Sequence, residues 1–269
     1  MKDSIKDIIE QFEQRGKICF ALAEIEEKFL SYSPATLKRT LTRLTAKGKI
    51  ASVWKGFYVI VPIEFQSKGI VPDVYYIDQL MKFLGKDYYI SLLNAAEYYG
   101  AAHQKPQELT VMTTPPSLRS TQKKGSKINF NNKKYIPEQF TEQRKTKTSY
   151  IKISSPELTA ADLIQFEKVI GGITRAATVL SELAGSCNFA KLPALFFEYV
   201  PTPVIQRLGY ILEEVLGFQD KADDLFINIK QYVHSFRKTP LKYRKAISGC
   251  ATDKKWNVII NEQIEIDEL

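Results

Sequence analysis

The chain has 269 residues, enough for one large domain or two ordinary ones. Hydrophobic residues make up 44% and charged residues 25%, a globular balance that excludes a disordered or collagen-like chain. Lysine and arginine number 38 against 30 acidic residues, and the net charge of +8 favours an anionic partner. The basic excess lies in residues 1–66 and 101–152, so a nucleic-acid surface is expected in those two segments.

The sequence lacks the patterns of an exported or membrane protein. Its first residues alternate charged and apolar side chains, unlike a signal peptide. The longest apolar stretches, residues 57–62 and 192–197, are far shorter than the about 20 residues that cross a bilayer. We therefore expect a soluble, cytoplasmic protein without a membrane partner. Cys19, Cys187 and Cys250 are odd in number and far apart, which predicts buried, reduced thiols.

The first 66 residues carry the hydrophobic periods of three helices and three strands. Ser33 is a good N-cap for the third helix, and Pro34 suits its first position. Gly56 can adopt the positive φ that the tip of a tight hairpin needs. The predicted helices are residues 5–12, 22–29 and 34–46, and the predicted strands are residues 18–20, 50–54 and 57–61.

The third helix has one apolar side and one cationic side. Its leucines recur at helical spacing, and residues 38–55 contain six basic residues and no acidic one. Such a helix suits the major groove, where Lys and Arg neutralise phosphates and Arg pairs with guanine. The element order therefore predicts a winged helix-turn-helix, or alternatively a small protein-binding domain. The predicted DNA contacts are Thr36, Lys38, Arg39, Thr40, Arg43, Lys47 and, at the tip of the wing, Lys55.

Residues 67–152 begin with a polar linker and continue with mixed α/β material. Helices are predicted at residues 75–85 and 92–99, and strands at residues 109–112, 128–130 and 150–153. Aromatic side chains interleave with a basic run in this segment, a pattern that holds nucleic-acid backbones or a partner protein. The alternative is a solvated hairpin tip. The run comprises Lys123, Lys124, Lys127, Lys133 and Lys134.

The remaining residues, 153–269, are predicted to be helix-rich with a little sheet. The sequence as a whole therefore predicts an α+β protein: a winged helix-turn-helix at residues 1–66, then a mixed, helix-rich α/β domain at residues 72–269. The predicted helices of this last part are residues 158–165, 170–183, 204–216 and 225–236, and its predicted strands are residues 256–260 and 264–266.

No catalytic or metal-binding motif occurs in the sequence. It contains no HExxH, GxSxG, Walker loop or CxxC, and His103 and His234 lack ligand neighbours and are interpreted as structural. The adjacent acidic pairs at residues 213–214 and 223–224 point in different directions on a helix, which is a poor arrangement for a metal. We therefore predict no catalytic residue, no metal and no cofactor. A carboxylate site assembled from distant residues is the alternative.

Four stretches of the chain are similar in sequence to segments of one known family. They are residues 88–107 (YYISLLNAAEYYGAAHQKPQ), 155–163 (SPELTAADL), 171–183 (with GGI and ATVLSEL) and 206–213 (QRLGYILE). In this order, and after the N-terminal elements, they resemble the AbiEi antitoxins of type IV toxin–antitoxin systems, which are linked to abortive infection by bacteriophage.

This resemblance implies both a partner and a regulatory role. An AbiEi antitoxin is expected to bind inverted repeats in its own promoter, as double-stranded DNA, and to repress it. Its C-terminal domain is expected to counteract an AbiEii-type toxin, a nucleotidyltransferase-like protein, without needing a stable complex. Two alternatives stay open from the residues alone: a winged-helix-targeted, metal-dependent nuclease, and a regulator whose second domain binds a small molecule.

Overall fold

A computed structural model of the chain describes residues 4–266 except residues 68, 102–103 and 124. Its elements confirm the mixed α+β class. The helices are α1 Ile5–Gln14, α2 Leu22–Lys28, α3 Pro34–Ala46, α4 Ile63–Gln66, α5 Ile77–Phe83, α6 Leu93–Tyr98, α7 Pro156–Gln165, α8 Glu167–Ile170, α9 Ile173–Leu183, α10 Ala194–Tyr199, α11 Thr202–Tyr210 and α12 Gln219–Lys230. The strands are β1 Cys19–Ala21, β2 Ile50–Trp54, β3 Phe57–Ile60, β4 Tyr88–Ile90, β5 Leu109–Thr113, β6 Thr121–Lys123, β7 Ser126–Asn132, β8 Thr141–Lys145, β9 Tyr150–Ser154, β10 Thr239–Pro240 and β11 Val258–Ile259.

The chain divides into two compact units. The first comprises residues 1–89, 107–136 and 143–152, and the second comprises residues 90–106, 137–142 and 153–269. The predicted domain boundary between residues 66 and 72 therefore lies inside the first unit. The reason is long-range packing, because the ring of Trp54 in β2 lies 6.0 Å from that of Phe130 in β7, and Phe65 lies 5.9 Å from Tyr75.

The N-terminal part of the first unit has its own apolar core. Helices α1, α2 and α3 pack their buried faces together with a three-stranded antiparallel sheet in the order β1-β3-β2. Ile25, Leu41 and Ile50 are essentially inaccessible to solvent at the centre of this cluster. The element order and the sheet are compatible with a winged helix-turn-helix, an assignment that remains a prediction.

A larger sheet has the strand order β6-β7-β5-β4-β9-β8. Strands β5 and β7 run parallel in continuous register from Leu109 opposite Ile128 to Thr113 opposite Asn132. Strands β6 and β7 form an antiparallel hairpin. All five side chains of β5 are buried, as expected for a central strand covered on both faces. In the second unit β10 and β11 pair in parallel.

Several predicted elements of the second unit differ from the structure. The last predicted helix, residues 225–236, is instead α12, Gln219–Lys230, because its polar first turns carry no hydrophobic period. The predicted helix 170–183 is interrupted: Gly171 and Gly172 adopt φ of 104° and 113° and separate α8 from α9. The predicted strand 256–260 is reduced to β11, and residues 264–266 form no strand. In the chain as a whole, strands β4, β6, β8 and β10 were not predicted.

Candidate nucleic-acid interface

The sequence of α3 fixes both its start and its orientation. The Ser33 side chain accepts a hydrogen bond from the Thr36 amide at 3.2 Å, and Pro34 occupies the first turn. Leu37, Leu41 and Leu44 are buried in the core of the first unit. Since side chains three and four positions apart share one face, burying the leucines turns the basic residues of α3 outward.

The outer side of α3 carries the predicted DNA contacts. Lys38, Arg39, Arg43 and Lys47 are exposed, as is Thr36, whereas Thr40 is half-buried. None of these four cations forms an ion pair with any residue that the structure describes. Their charge is therefore available to phosphates.

The hairpin of β2 and β3 places a further cation beyond α3. Lys55 is exposed at the turn, where Gly56 adopts a φ of 76°. The Gly56 carbonyl accepts a hydrogen bond of 2.8 Å from the Leu22 amide at the start of α2, which anchors the turn to the helices. A register shift between Ser52 and Trp54 marks a bulge in the strand that leads to this turn.

The second basic run does not form one continuous exposed surface. Lys123 and Lys134 are exposed, but Lys127 is half-buried and pairs with Glu108 at 2.5 Å. The prediction that Lys133 belongs to an exposed basic surface is wrong, because its side chain is only 6% exposed. Its backbone N–H donates to the Thr113 carbonyl and so continues the pairing of β7 with β5. Lys124 lies outside the described residues. Strands β6 and β7 of this segment form a hairpin. A contact of the run with nucleic acid or a partner protein stays a prediction.

The family-like stretches of the second unit form a buried polar network. Ser91, in the first stretch, donates to the carboxylate of Asp162, in the second, at 2.7 Å, and both side chains are fully buried. The neighbouring hydroxyls of Ser154 and Thr159 lie 2.6 Å apart. Leu92, also fully buried, has a φ of 57°, a strained value for a residue with a side chain. The first two of these stretches therefore contribute buried side chains to the core of the second unit.

A cationic bridge that the sequence did not reveal joins two of the acidic residues. Lys255 lies 2.8 Å from Glu213, in a π-helical turn at Ile211–Val215, and 2.5 Å from Asp223 in α12. Trp256 donates its indole N–H to Glu213 at 2.7 Å. Burial acts to raise the pKa of Glu213, but hydrogen bonds from Lys255, Gln219 and Trp256 outweigh it and hold that pKa below its ordinary value.

Acid is expected to remove this contribution to stability. Because the Glu213 pKa is lowered on folding, its stabilisation is complete above the ordinary value of 4.5 and disappears as the pH falls through the lower folded pKa. We expect Glu213→Gln to flatten the acid side of the curve of unfolding free energy against pH. Unfolding is monitored by the fluorescence of Trp256 in a Trp54→Phe background. Glu214→Gln, at an exposed neighbour, is the control, and equal profiles for both variants would contradict this account.

The remaining candidate groups are the acidic residues, the cysteines and the histidines. Among the described residues, no group of three or more His, Cys, Asp or Glu is placed to hold a metal ion. Cys19 and Cys187 are buried as predicted, and burial raises the pKa of Cys19 to about 11, whereas Cys250 is half-buried. His234 is exposed rather than packed in the core, and His103 lies outside the described residues. No helix in the described part of the chain is long and apolar enough to cross a membrane.

Comparison with known proteins finds one similar fold and one matching family domain. The crystal structure of the RV2827C protein from Mycobacterium tuberculosis is similar, with a TM-score of 0.67 and 13% sequence identity over 94% of this chain and 89% of that one. None of the curated proteins compared with the chain matches it. Residues 89–214 match the family model of the AbiEi antitoxin C-terminal domain. This match supports an AbiEi-family antitoxin, the class of antitoxin that belongs to abortive-infection systems.

Proposed function

We propose that this protein is an antitoxin and also a DNA-binding repressor of its own promoter. In this proposal α3 enters the major groove of an inverted repeat, and Lys55 at the hairpin tip contacts the neighbouring backbone. The second unit counteracts an AbiEii-type, nucleotidyltransferase-like toxin, with or without a stable complex. The protein acts by binding and catalyses no reaction.

The observation that carries the proposal is the exposed cationic side of α3. Its three cationic side chains, and Lys47 directly after it, face outward without a described ion-pair partner, while three leucines bury the other side of the helix in the core. A rigid helix with free cations and a half-buried threonine offers both phosphate neutralisation and base contacts. The AbiEi domain supports the antitoxin part of the proposal.

Removing the arginines of α3 is expected to weaken operator binding strongly. Arg39→Ala and Arg43→Ala should each cost about 1–3 kcal/mol if the side chain contacts a base, and the double variant should lose sequence-selective binding. Each lost phosphate contact should also lower the slope of log K against log salt by about 0.9. Fluorescence anisotropy titration on the upstream region, beside a scrambled duplex and at two salt concentrations, measures both quantities.

The matched control is Lys6→Ala, which removes an exposed cation from α1, far along the chain from the predicted contacts. Its operator affinity should stay within about twofold of the wild type, since Lys6 is not among the predicted contacts and its charge is already paired with Glu10. Unchanged affinity in the Arg39→Ala, Arg43→Ala double variant would refute the assignment of α3 to the groove.

The two activities are expected to separate in cells that express the toxin. If the second unit provides the antitoxin activity, the Arg39→Ala, Arg43→Ala variant should still restore growth when both genes are placed under unrelated promoters. Reporter expression from the native promoter should rise in the same variant. Failure of the variant to protect, at wild-type protein level, would show that antitoxin activity needs the basic helix as well.

A further inference from the structure

A partly enclosed cavity of about 200 Å³ lies within the first unit. It is lined by Thr45, residues 51–53, residues 69–71, Tyr76, Lys123 and Ser126. These residues belong to the last turn of α3, strand β2, the segment before α5 and the hairpin of β6 and β7. The lining is mainly apolar, with Ala51, Val53 and Val71 among its side chains.

The hydroxyl groups of the cavity already donate to the protein. Tyr76 donates to the Asp73 carboxylate at 2.5 Å, and Ser126 donates to the same carboxylate. The Thr45 hydroxyl donates to the Leu41 carbonyl at 2.9 Å, as Ser52 does more weakly to a carbonyl of its own strand. These hydroxyls therefore present no free proton to a ligand.

Lys123 supplies the cavity with a free cationic donor. Its side chain is exposed at the end of β6 and forms no ion pair with the residues that the structure describes. A ligand that suits one ammonium group beside an apolar wall carries one negative charge and has an apolar part. The volume is below the roughly 300–1,000 Å³ of sites for drug-sized ligands, which limits the body to one ring or a short chain.

We propose that this cavity binds a small monocarboxylate, with its apolar part against β2 and its carboxylate at Lys123. The site does not depend on the proposed DNA contact, and its test uses no DNA. The adjoining loop after α3 carries Lys47, so an occupied cavity lies next to the candidate nucleic-acid interface.

Benzoate and its neutral isostere benzamide probe the site in the full-length protein. Saturation-transfer NMR is expected to show saturable benzoate binding with a Kd on the order of 1 mM, and benzamide binding about tenfold weaker, because only benzoate pairs with the ammonium group. Absence of saturable benzoate binding up to about 10 mM would overturn the proposal, as would equal affinity for the two probes.

Three variants locate the binding. Lys123→Gln should lower benzoate affinity to the level of benzamide and leave benzamide unchanged, whereas Lys134→Gln, an exposed lysine outside the cavity, should change neither. Ala51→Leu should abolish the binding of both benzoate and benzamide, because the larger side chain fills the cavity. Thermal unfolding checks that this variant is folded. Benzoate binding that survives both Lys123→Gln and Ala51→Leu would place the ligand elsewhere and refute the site.

Discussion

Replacing Glu167 by alanine is expected to destabilise the second unit by about 3–5 kcal/mol. Glu167 in α8 pairs with Arg207 in α11 at 2.7 Å, and the Arg207 side chain is only 1% exposed. The guanidinium also donates to the carbonyls of Leu241 and Ile164, at 2.8 and 3.2 Å. Without the Glu167 carboxylate the buried guanidinium loses the opposite charge at 2.7 Å that neutralises it. Denaturant unfolding, followed by Trp256 fluorescence in a Trp54→Phe background, measures the loss.

Two controls separate this effect from the general cost of losing a glutamate. Glu10→Ala removes half of an exposed pair with Lys6 and should cost less than about 1 kcal/mol. The double variant Glu167→Leu, Arg207→Met removes both buried charges and should be milder than Glu167→Ala alone. If the double variant loses as much unfolding free energy as Glu167→Leu and Arg207→Met lose together when measured singly, the unpaired buried charge is not the cause.

Adding one methyl group at Gly209 is expected to cost about 3 kcal/mol or more. Gly209 lies on the buried side of α11, and a Cβ built there would overlap the six-membered ring of Trp256, which is fully buried. The ring also stacks on Phe236, with centroids 6.2 Å apart, and has little room to withdraw. We therefore expect Gly209→Ala to lower the unfolding midpoint and to change the Trp256 emission spectrum.

Gly185→Ala is the matched control for this substitution. A Cβ on Gly185 meets no atom within 4 Å, so the extra methyl should leave stability unchanged or raise it slightly. Combining Gly209→Ala with Trp256→Leu should cost less than the sum of the two changes, because the smaller side chain leaves space for the methyl. Additive costs would show that the ring does not oppose the Cβ.

The elements that the sequence predicted best are those with local signals. Helix α3 begins at Pro34 and ends at Ala46 as predicted, because Ser33 caps it, leucines recur along one side, and Lys47 and Gly48 follow it. The hairpin of β2 and β3 likewise depended on a glycine that takes a positive φ at the turn. Exposure of the basic side of α3 followed from burial of the other side.

What the sequence missed depends on contacts between distant residues. Lys255 joins Glu213 to Asp223, and adjacent acidic pairs gave no sign that one member of each would meet the same cation. Lys133 looked like the other lysines of its run, yet its position beside the β5–β7 ladder buries it. The cavity beside Lys123 was also beyond prediction, since its walls come from four separate segments of the chain.

The burial of Trp256 also determines when the second unit can be completed during protein synthesis. Helix α11 leaves the ribosome roughly 50 residues before Trp256, an interval of a few seconds at about 5–20 residues per second. Until Trp256 is synthesised, the space beside Gly209 that its ring occupies is unfilled, whereas the residues of the N-terminal core, 5–60, have already been synthesised. A nascent chain that stalls in this interval carries the basic helix without a finished second unit, and its exposed apolar surface makes it a substrate for chaperones and proteases.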